Sequence, residues 1–321
     1  MKNANITFLV QGPVRERTKD ALKSIRHFFP GSIIVLSTWK GENISGLDYD
    51  KLVLSDDPGP LYIYQKGEIV GQENTNRQIL SVVNAIPHVA TLYCVKTRTD
   101  IEFTNNCFLK LYSDSVEKYP RDKEVSRLKQ RVLISSINTP NPNCFLRYVC
   151  QISDWFFFGL TEDIKKIWCQ KLIPQSDYYH NEDEVPDKAY KNGFLFGRFS
   201  SEQIITIGFL RKYSTNLPKY FRDKEFVNYS NRILASEFIC AEPIRIGFTF
   251  LKYRNYCELK VFDIKAVKSY FAFYSVTTNY VRWNQICTQW LKKENPSIKY
   301  ILHDRFCQFV AMYIKKRIYK L

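Results

Sequence analysis

The chain has 321 residues, 45% of them hydrophobic, with 21 Tyr and 23 Phe; this supplies a large core for one or two domains and excludes a disordered chain. A formal charge of +15 favours an anionic partner (nucleic acid, a phosphorylated substrate or an anionic membrane) without choosing among them. Nine cysteines with no C-x-x-C pair and no metal-ligand spacing to the four histidines read as reduced core thiols, which points away from a disulfide framework or a zinc site and towards a reducing compartment.

Residues Ile6 to Val10 form an apolar run ended by Gln11-Gly12-Pro13, the pattern of a buried strand and its turn. Thr18, Leu22, Ile25 and Phe29 then share one helical face, which Pro30-Gly31 closes. A second buried strand, Ser32 to Leu36, opens into Ser37, Thr38 and Trp39, and a shorter third covers Leu52 to Leu54 before the turn at Asp56-Asp57-Pro58-Gly59-Pro60. A helix is predicted from about Asn74 to Ile86, and a strand over Thr91 to Val95 that delivers Lys96-Thr97-Arg98-Thr99-Asp100 to the edge of a sheet. This alternation predicts an α/β fold with a mostly parallel sheet flanked by helices.

Further on, a helix is expected at about 105–118, strands over Val132 to Ile137 and Gln151 to Gly159, and a helix from Thr161 to about Lys171. Residues 174–198 read as a polar loop over the site or an excursion from the fold, and Ser200 or Ser201 caps a helix running from Glu202 to Lys212. From about 214 the pattern turns irregular and aromatic, which divides the chain into an α/β unit, 1–240, and a basic extension, 241–321. Residues 281–321 carry nine Lys or Arg against two acids, and Phe306, Phe309, Val310, Tyr313 and Ile314 recur near helical spacing. That stretch is either an interfacial helix drawn to anionic lipid or a helix docked on its own domain. The N-terminus shows no signal-peptide h-region, and no apolar run reaches the length of about eighteen residues that a spanning helix needs, so the expected location is cytoplasmic.

No G-x-G-x-x-G and no P-loop is present, which removes the usual dinucleotide and P-loop sites. In open α/β sheets ligands bind beyond the carboxyl ends of strands. Lys96, Arg98 and Asp100 suit a phosphate-bearing ligand there, with or without a metal at Asp100, or else form an ordinary solvated turn. Gly12 lets backbone approach a ligand closely, or simply turns the chain. Asn76 and Arg77 open a predicted helix, as an anion site or a plain cap. Asp154 sits within an apolar run, where burial raises its pKa unless it is paired, and Glu202 stands in a first helical turn, where the dipole favours its charged form. Either carboxylate is a candidate general base or a structural acceptor. There is no RNP-like aromatic strand pair, and nucleic acid is not an expected partner.

The ordered set Val10-Gln-Gly-Pro-Val14, Ser24-Ile-Arg26, Phe29-Pro30, Leu36-Ser-Thr-Trp39, Asn76-Arg-Gln-Ile79, Lys96-Thr-Arg-Thr-Asp100, Ser153-Asp-Trp155, Phe158-Gly159 and Glu202-Gln203 resembles the WavE family of bacterial lipopolysaccharide-synthesis proteins over about residues 5–240. The resemblance implies a GT-A-like, Rossmann-like domain over 1–240 and a glycosyltransferase that moves a sugar from a nucleotide-sugar to a lipopolysaccharide or capsular acceptor hydroxyl. The location it implies is cytoplasmic, peripheral on the inner membrane, with a glycan or lipid-linked glycan as acceptor. It places Gln11, Gly12, Pro13, Ser37, Thr38, Trp39, Asn76, Arg77, Lys96, Arg98 and Asp100 at the donor, with Glu202 or Asp154 as acceptor base. Arg98 stands where the first acid of the Asp-x-Asp metal motif belongs, so Mg²⁺ or Mn²⁺ at Asp100 is an open expectation. Two other readings stay beside it: a sugar-phosphate or polyol-phosphate transferase, and a non-enzymatic basic module that binds polyanions or membranes.

Overall fold

Continuous apolar strands bury both faces only when helices cover the sheet on each side, and this chain does so. The computed structural model describes residues 2–65, 67–144, 148–178, 199–257, 270–271, 274–295 and 297–318; most of the predicted 174–198 loop therefore lies outside the described residues. Seven strands make the main sheet: β1 (Ile6–Gln11), β2 (Ile33–Trp39), β3 (Lys51–Ser55), β6 (Tyr93–Arg98), β8 (Val132–Ser135), β9 (Phe157–Leu160) and β10 (Phe238–Ala241). Their order is β10-β8-β9-β6-β1-β2-β3. Only β9 runs against its neighbours, pairing antiparallel with both β6 and β8.

The helices follow the predicted periodicities: α1 (Thr18–Phe28), α2 (Thr75–Ala85), α3 (Cys107–Ser115), α4 (Thr161–Trp168) and α5 (Ser201–Leu210). Side chains alternate across a strand. Phe8 therefore faces the aromatic layer of Phe29, Phe103 and Phe108, with ring centroids of Phe8 4.8 Å from Phe29 and 5.4 Å from Phe103. Gln11, on the opposite face, meets α2 by accepting a hydrogen bond from Ser81 Oγ at 2.7 Å. Helix α5 starts as a capping box: the Ser200 hydroxyl accepts from the Gln203 N–H, and the Gln203 side chain accepts from the Ser200 N–H.

Three features depart from the sequence expectation. A hairpin, β4 (Leu61–Gln65) and β5 (Glu68–Glu73), follows the turn at 56–60. The predicted strand at Gln151 to Gly159 is a strand only from Phe157 onward, because Asp154 and Trp155 are drawn to the sheet's edge. The irregular stretch after 214 contains α6 (Val227–Glu237), which leads into β10. Beyond it, β7 (Glu102–Phe103) pairs with β11 (Phe248–Thr249), and α7 (Tyr280–Cys287) seats the buried Trp283, whose indole N–H donates to the Phe238 carbonyl at 2.7 Å. Helix α8 spans Ile298–Ile318. None of the nine cysteines forms a disulfide. Among the described residues, no helix is long and apolar enough to cross a membrane.

Phe8→Ala removes a fully buried ring from the aromatic layer; it is expected to cost about 3–5 kcal/mol in urea unfolding, whereas Leu54→Ala, 43% exposed, stays within about 0.5 kcal/mol.

Candidate functional site

Parallel strands β1, β2 and β6 end at one edge, and because β9 is antiparallel its entrance lies there too. A cleft of about 750 Å³ opens at this edge. It is lined by Gln11, Gly12 and Pro13 after β1, Trp39 at the end of β2, Arg77 of α2, Arg98 and Asp100 at the exit of β6, Asp154 ahead of β9 and Glu202 in the first turn of α5. Residues far apart in sequence thus converge because of strand direction and helix placement.

Four residues predicted to contact the donor lie behind the cleft instead. Ser37 is buried and donates to the Ser81 carbonyl at 2.8 Å. Thr38 is fully buried beside it in β2. The Asn76 side chain braces the chain at Ile173 by accepting its N–H at 2.8 Å and donating to its carbonyl at 2.9 Å. Lys96 is completely buried: its ammonium donates to the Asp154 carbonyl and lies 4.1 Å from the Trp168 ring centroid. Burial pushes Lys96 down to about 7. Strand β6 continues through Arg98 because its pairing with β1 runs to Gln11, so Lys96 points into the sheet's covered face rather than out of the strand.

One wall of the cleft is cationic. Arg98 forks onto Asp100 at 2.8 and 2.9 Å, and Arg15 Nε approaches the same carboxylate at 3.2 Å. The Arg98 guanidinium lies 4.9 Å from the Phe250 ring, which fixes its plane. Thr99 ties this exit to the first turn by donating to the Pro13 carbonyl at 2.7 Å. Gly12 has φ +123°, and a Cβ there would sit 3.4 Å from Thr99 Oγ1; only glycine takes this turn without strain. Arg77 reaches the cleft with its fork held by Asp57 at 2.7 and 2.6 Å, and it holds the Asp57 carboxylate below its ordinary range.

Three further carboxylates line the cleft: Glu73, Asp154 and Glu202. Asp154 is 5% exposed, and its Oδ1 is buried with no hydrogen-bond partner among the described residues. Glu202 accepts from Asn138 Nδ2 at 2.8 Å, and Asn138 adopts the left-handed conformation, φ 61°, needed to present that amide. Burial first, and then the Asp154 carboxylate, push Glu202 up to about 8. Desolvation beside like charge therefore overrides the helix dipole, which alone favours the charged form. Burial likewise raises Glu73, against the opposing hydrogen bond from Ser201 Oγ.

Both Asp100 oxygens are already hydrogen-bonded by guanidiniums. Among the described residues no three His, Cys, Asp or Glu side chains converge in a way that holds a metal. The donor set at Asp100 does not fit a divalent cation, which needs open carboxylate oxygens; two arginines supply positive charge there.

Glu73, Asn138 and Arg15 are site residues that sequence reasoning missed. Arg15 carries a signal, a cation just after a strand-ending Gly-Pro. Glu73 ends a hairpin strand and Asn138 follows a strand by three residues, and neither has a local pattern that marks it.

The fold and site define an α/β protein with a cleft at the carboxyl edge of its sheet that sets guanidiniums against carboxylates. The chain belongs to the WavE lipopolysaccharide synthesis family, whose sequence profile matches residues 6–321. That membership places it in lipopolysaccharide synthesis. A search among curated proteins returned no match. Among solved structures, the chain is similar to HddC from Yersinia pseudotuberculosis complexed with GMP-PN, at 8% identity and a TM-score of 0.28, over 52% of this chain and 78% of that one.

Because Glu202 titrates near 8 in the folded chain against an ordinary value of 4.5, the stability its protonated form contributes is complete below about 4.5 and is lost as pH rises through about 8. The melting temperature of Glu202→Gln should therefore climb relative to the natural chain between pH 5 and pH 9, by roughly a few degrees. A pH-independent gap in parallel melting curves contradicts this.

Proposed function

We propose that the protein is a glycosyltransferase that moves a sugar from a nucleotide-sugar to a hydroxyl of a lipopolysaccharide or capsular polysaccharide. The observation that carries this reading is the presence in one cleft of the Arg98 and Arg15 guanidiniums together with the Glu202 and Asp154 carboxylates. Such a reaction needs charge stabilisation on one side of the anomeric carbon and a proton acceptor on the other.

In this mechanism the donor diphosphate lies against Gln11, Gly12 and Pro13, with Arg98 and Arg15 beside its oxygens, and Trp39 offers a ring to the base. The acceptor oxygen attacks the anomeric carbon while its proton passes to a carboxylate. The bond from that carbon to the diphosphate breaks, and the nucleotide diphosphate leaves with the electron pair, its charge met by the guanidiniums. Glu202 is the base: a pKa near the operating pH suits proton transfer in both directions. Asp154 holds Glu202 poised by like-charge repulsion. Lys96 serves as a positioning residue, because its ammonium fixes the Asp154 backbone.

A thermal-shift screen of UDP-, GDP-, CMP- and dTDP-sugars tests the donor site. One nucleotide class should raise the melting temperature by mass action, with the same shift in Mn²⁺ and in chelator, and Arg98→Ala should abolish it. Flat responses to every class defeat the reading.

With a donor in hand, Glu202→Gln should lower turnover by about 10²–10⁴-fold while the donor-induced melting shift survives. A sugar-phosphate linkage in the product, seen by phosphorus NMR, would assign the cleft to phosphoryl transfer instead.

A further inference from the structure

Helix α8 has two apolar faces, one docked on the protein and one largely exposed among the described residues. On the inner face Cys307 and Ala311 are buried. That face is fixed to the protein by the hydrogen bond between Tyr274 Oη and His303 Nε2, 3.0 Å, and by the Arg282–Asp304 ion pair, 3.3 Å. The Phe271 ring packs edge-on against Phe306. The helix therefore cannot turn over to hide its other side. On that side Ile298, Leu302, Phe306, Phe309 and Tyr313, spaced by four, four, three and four residues, form one stripe. All five are exposed, from 50% at Phe306 to 76% at Ile298. Scattered exposed apolar side chains need no explanation, but a contiguous stripe about 22 Å long does.

Charge identifies what covers it. Residues 281–321 carry nine Lys or Arg against two acids, in a chain of net charge +15. Lys292 and Lys293 stand exposed just before α8, and Lys299 and Arg305 are exposed on the helix itself. A second copy brought face to face would set these like charges against one another. An anionic lipid surface attracts them and accepts the apolar stripe between its acyl chains. The helix is not long and apolar enough to span a bilayer, so it lies along one.

We propose that α8 is an interfacial helix that seats Ile298, Leu302 and Phe309 in the surface of an anionic bilayer. This goes beyond the glycosyl-transfer reading and does not depend on it.

The test is flotation of the full chain with vesicles of phosphatidylcholine alone or mixed with phosphatidylglycerol. The protein should float with the mixed vesicles, detach substantially as salt rises, and bind phosphatidylcholine alone weakly. Leu302→Glu with Phe309→Glu should lower affinity for mixed vesicles at least about tenfold while the melting temperature holds. Phe309→Trp, which keeps the apolar volume, should show blue-shifted emission relative to the natural chain with mixed vesicles only. The proposal is overturned if the natural chain fails to float, if the double variant floats equally well, or if the Phe309→Trp emission is unmoved. It is also overturned if sedimentation shows a dimer that the double variant splits while neither form binds vesicles. Donor binding by thermal shift is read separately, so failure here leaves the transferase reading standing, and the reverse holds.

Discussion

A strand that runs against its neighbours has its beginning where theirs end. β9 is that strand, and the cleft depends on it. Had β9 been parallel, Asp154 and Trp155 would lie at the far edge of the sheet, and the cleft would lose the Asp154 carboxylate beside Arg98. The reversal is secured from beneath by Lys96. A fully buried ammonium requires an acceptor, and the acceptor is the Asp154 carbonyl. The Trp168 ring beneath completes the cation's surroundings. The same lysine that satisfies itself thus fixes the height of the loop at 151–156, and with it the position of the Asp154 side chain.

The two walls differ in how they treat charge. The cationic wall is prepaired: Asp100 holds Arg98 and Arg15 in place without neutralising both, leaving net positive charge on that wall. The acidic wall is left under tension. Asp154 has an oxygen with no partner among the described residues, and Glu202 accepts the Asn138 amide at 2.8 Å. Burial pushes the Glu202 carboxyl up, although a first-turn position ordinarily favours loss of its proton.

Much of this was legible in the residues. The apolar runs at Ile6 to Val10 and Ser32 to Leu36 give strands because nothing interrupts them, and Gln11-Gly12-Pro13 marks a strand end unambiguously. The clustering of Arg98 with Asp100, and the placement of Glu202 after Ser200, follow from local chemistry: a charged strand exit and a helix cap. Lys96 reads as a donor-binding residue at the sheet's rim because a charge after an apolar run ordinarily leaves the core; only its pairing with Leu9 of β1, far away in sequence, shows that the strand continues through it. Ser37 shares the face of Trp39 but is taken up by the Ser81 carbonyl of α2, Thr38 lies on the other face, and the Asn76 side chain turns to Ile173. β10 escaped detection because four residues, Phe238 to Ala241, are too few for a period to emerge. The hairpin of β4 and β5 lies on the cleft's flank, and its turn-rich surroundings masked it, which is why Glu73 was missed.

The pairing of β8 with β10 joins residues about a hundred positions apart. During synthesis every other strand of the main sheet can be in place once residue 160 has left the ribosome, yet β8 then remains an open border of unsatisfied amides and carbonyls. That border stays available to other chains until residues 238–241 arrive to close it. A nascent chain stalled between these points would be sticky along one line, and the last inserted strand shifts that border to β10, where the Trp283 indole engages the Phe238 carbonyl.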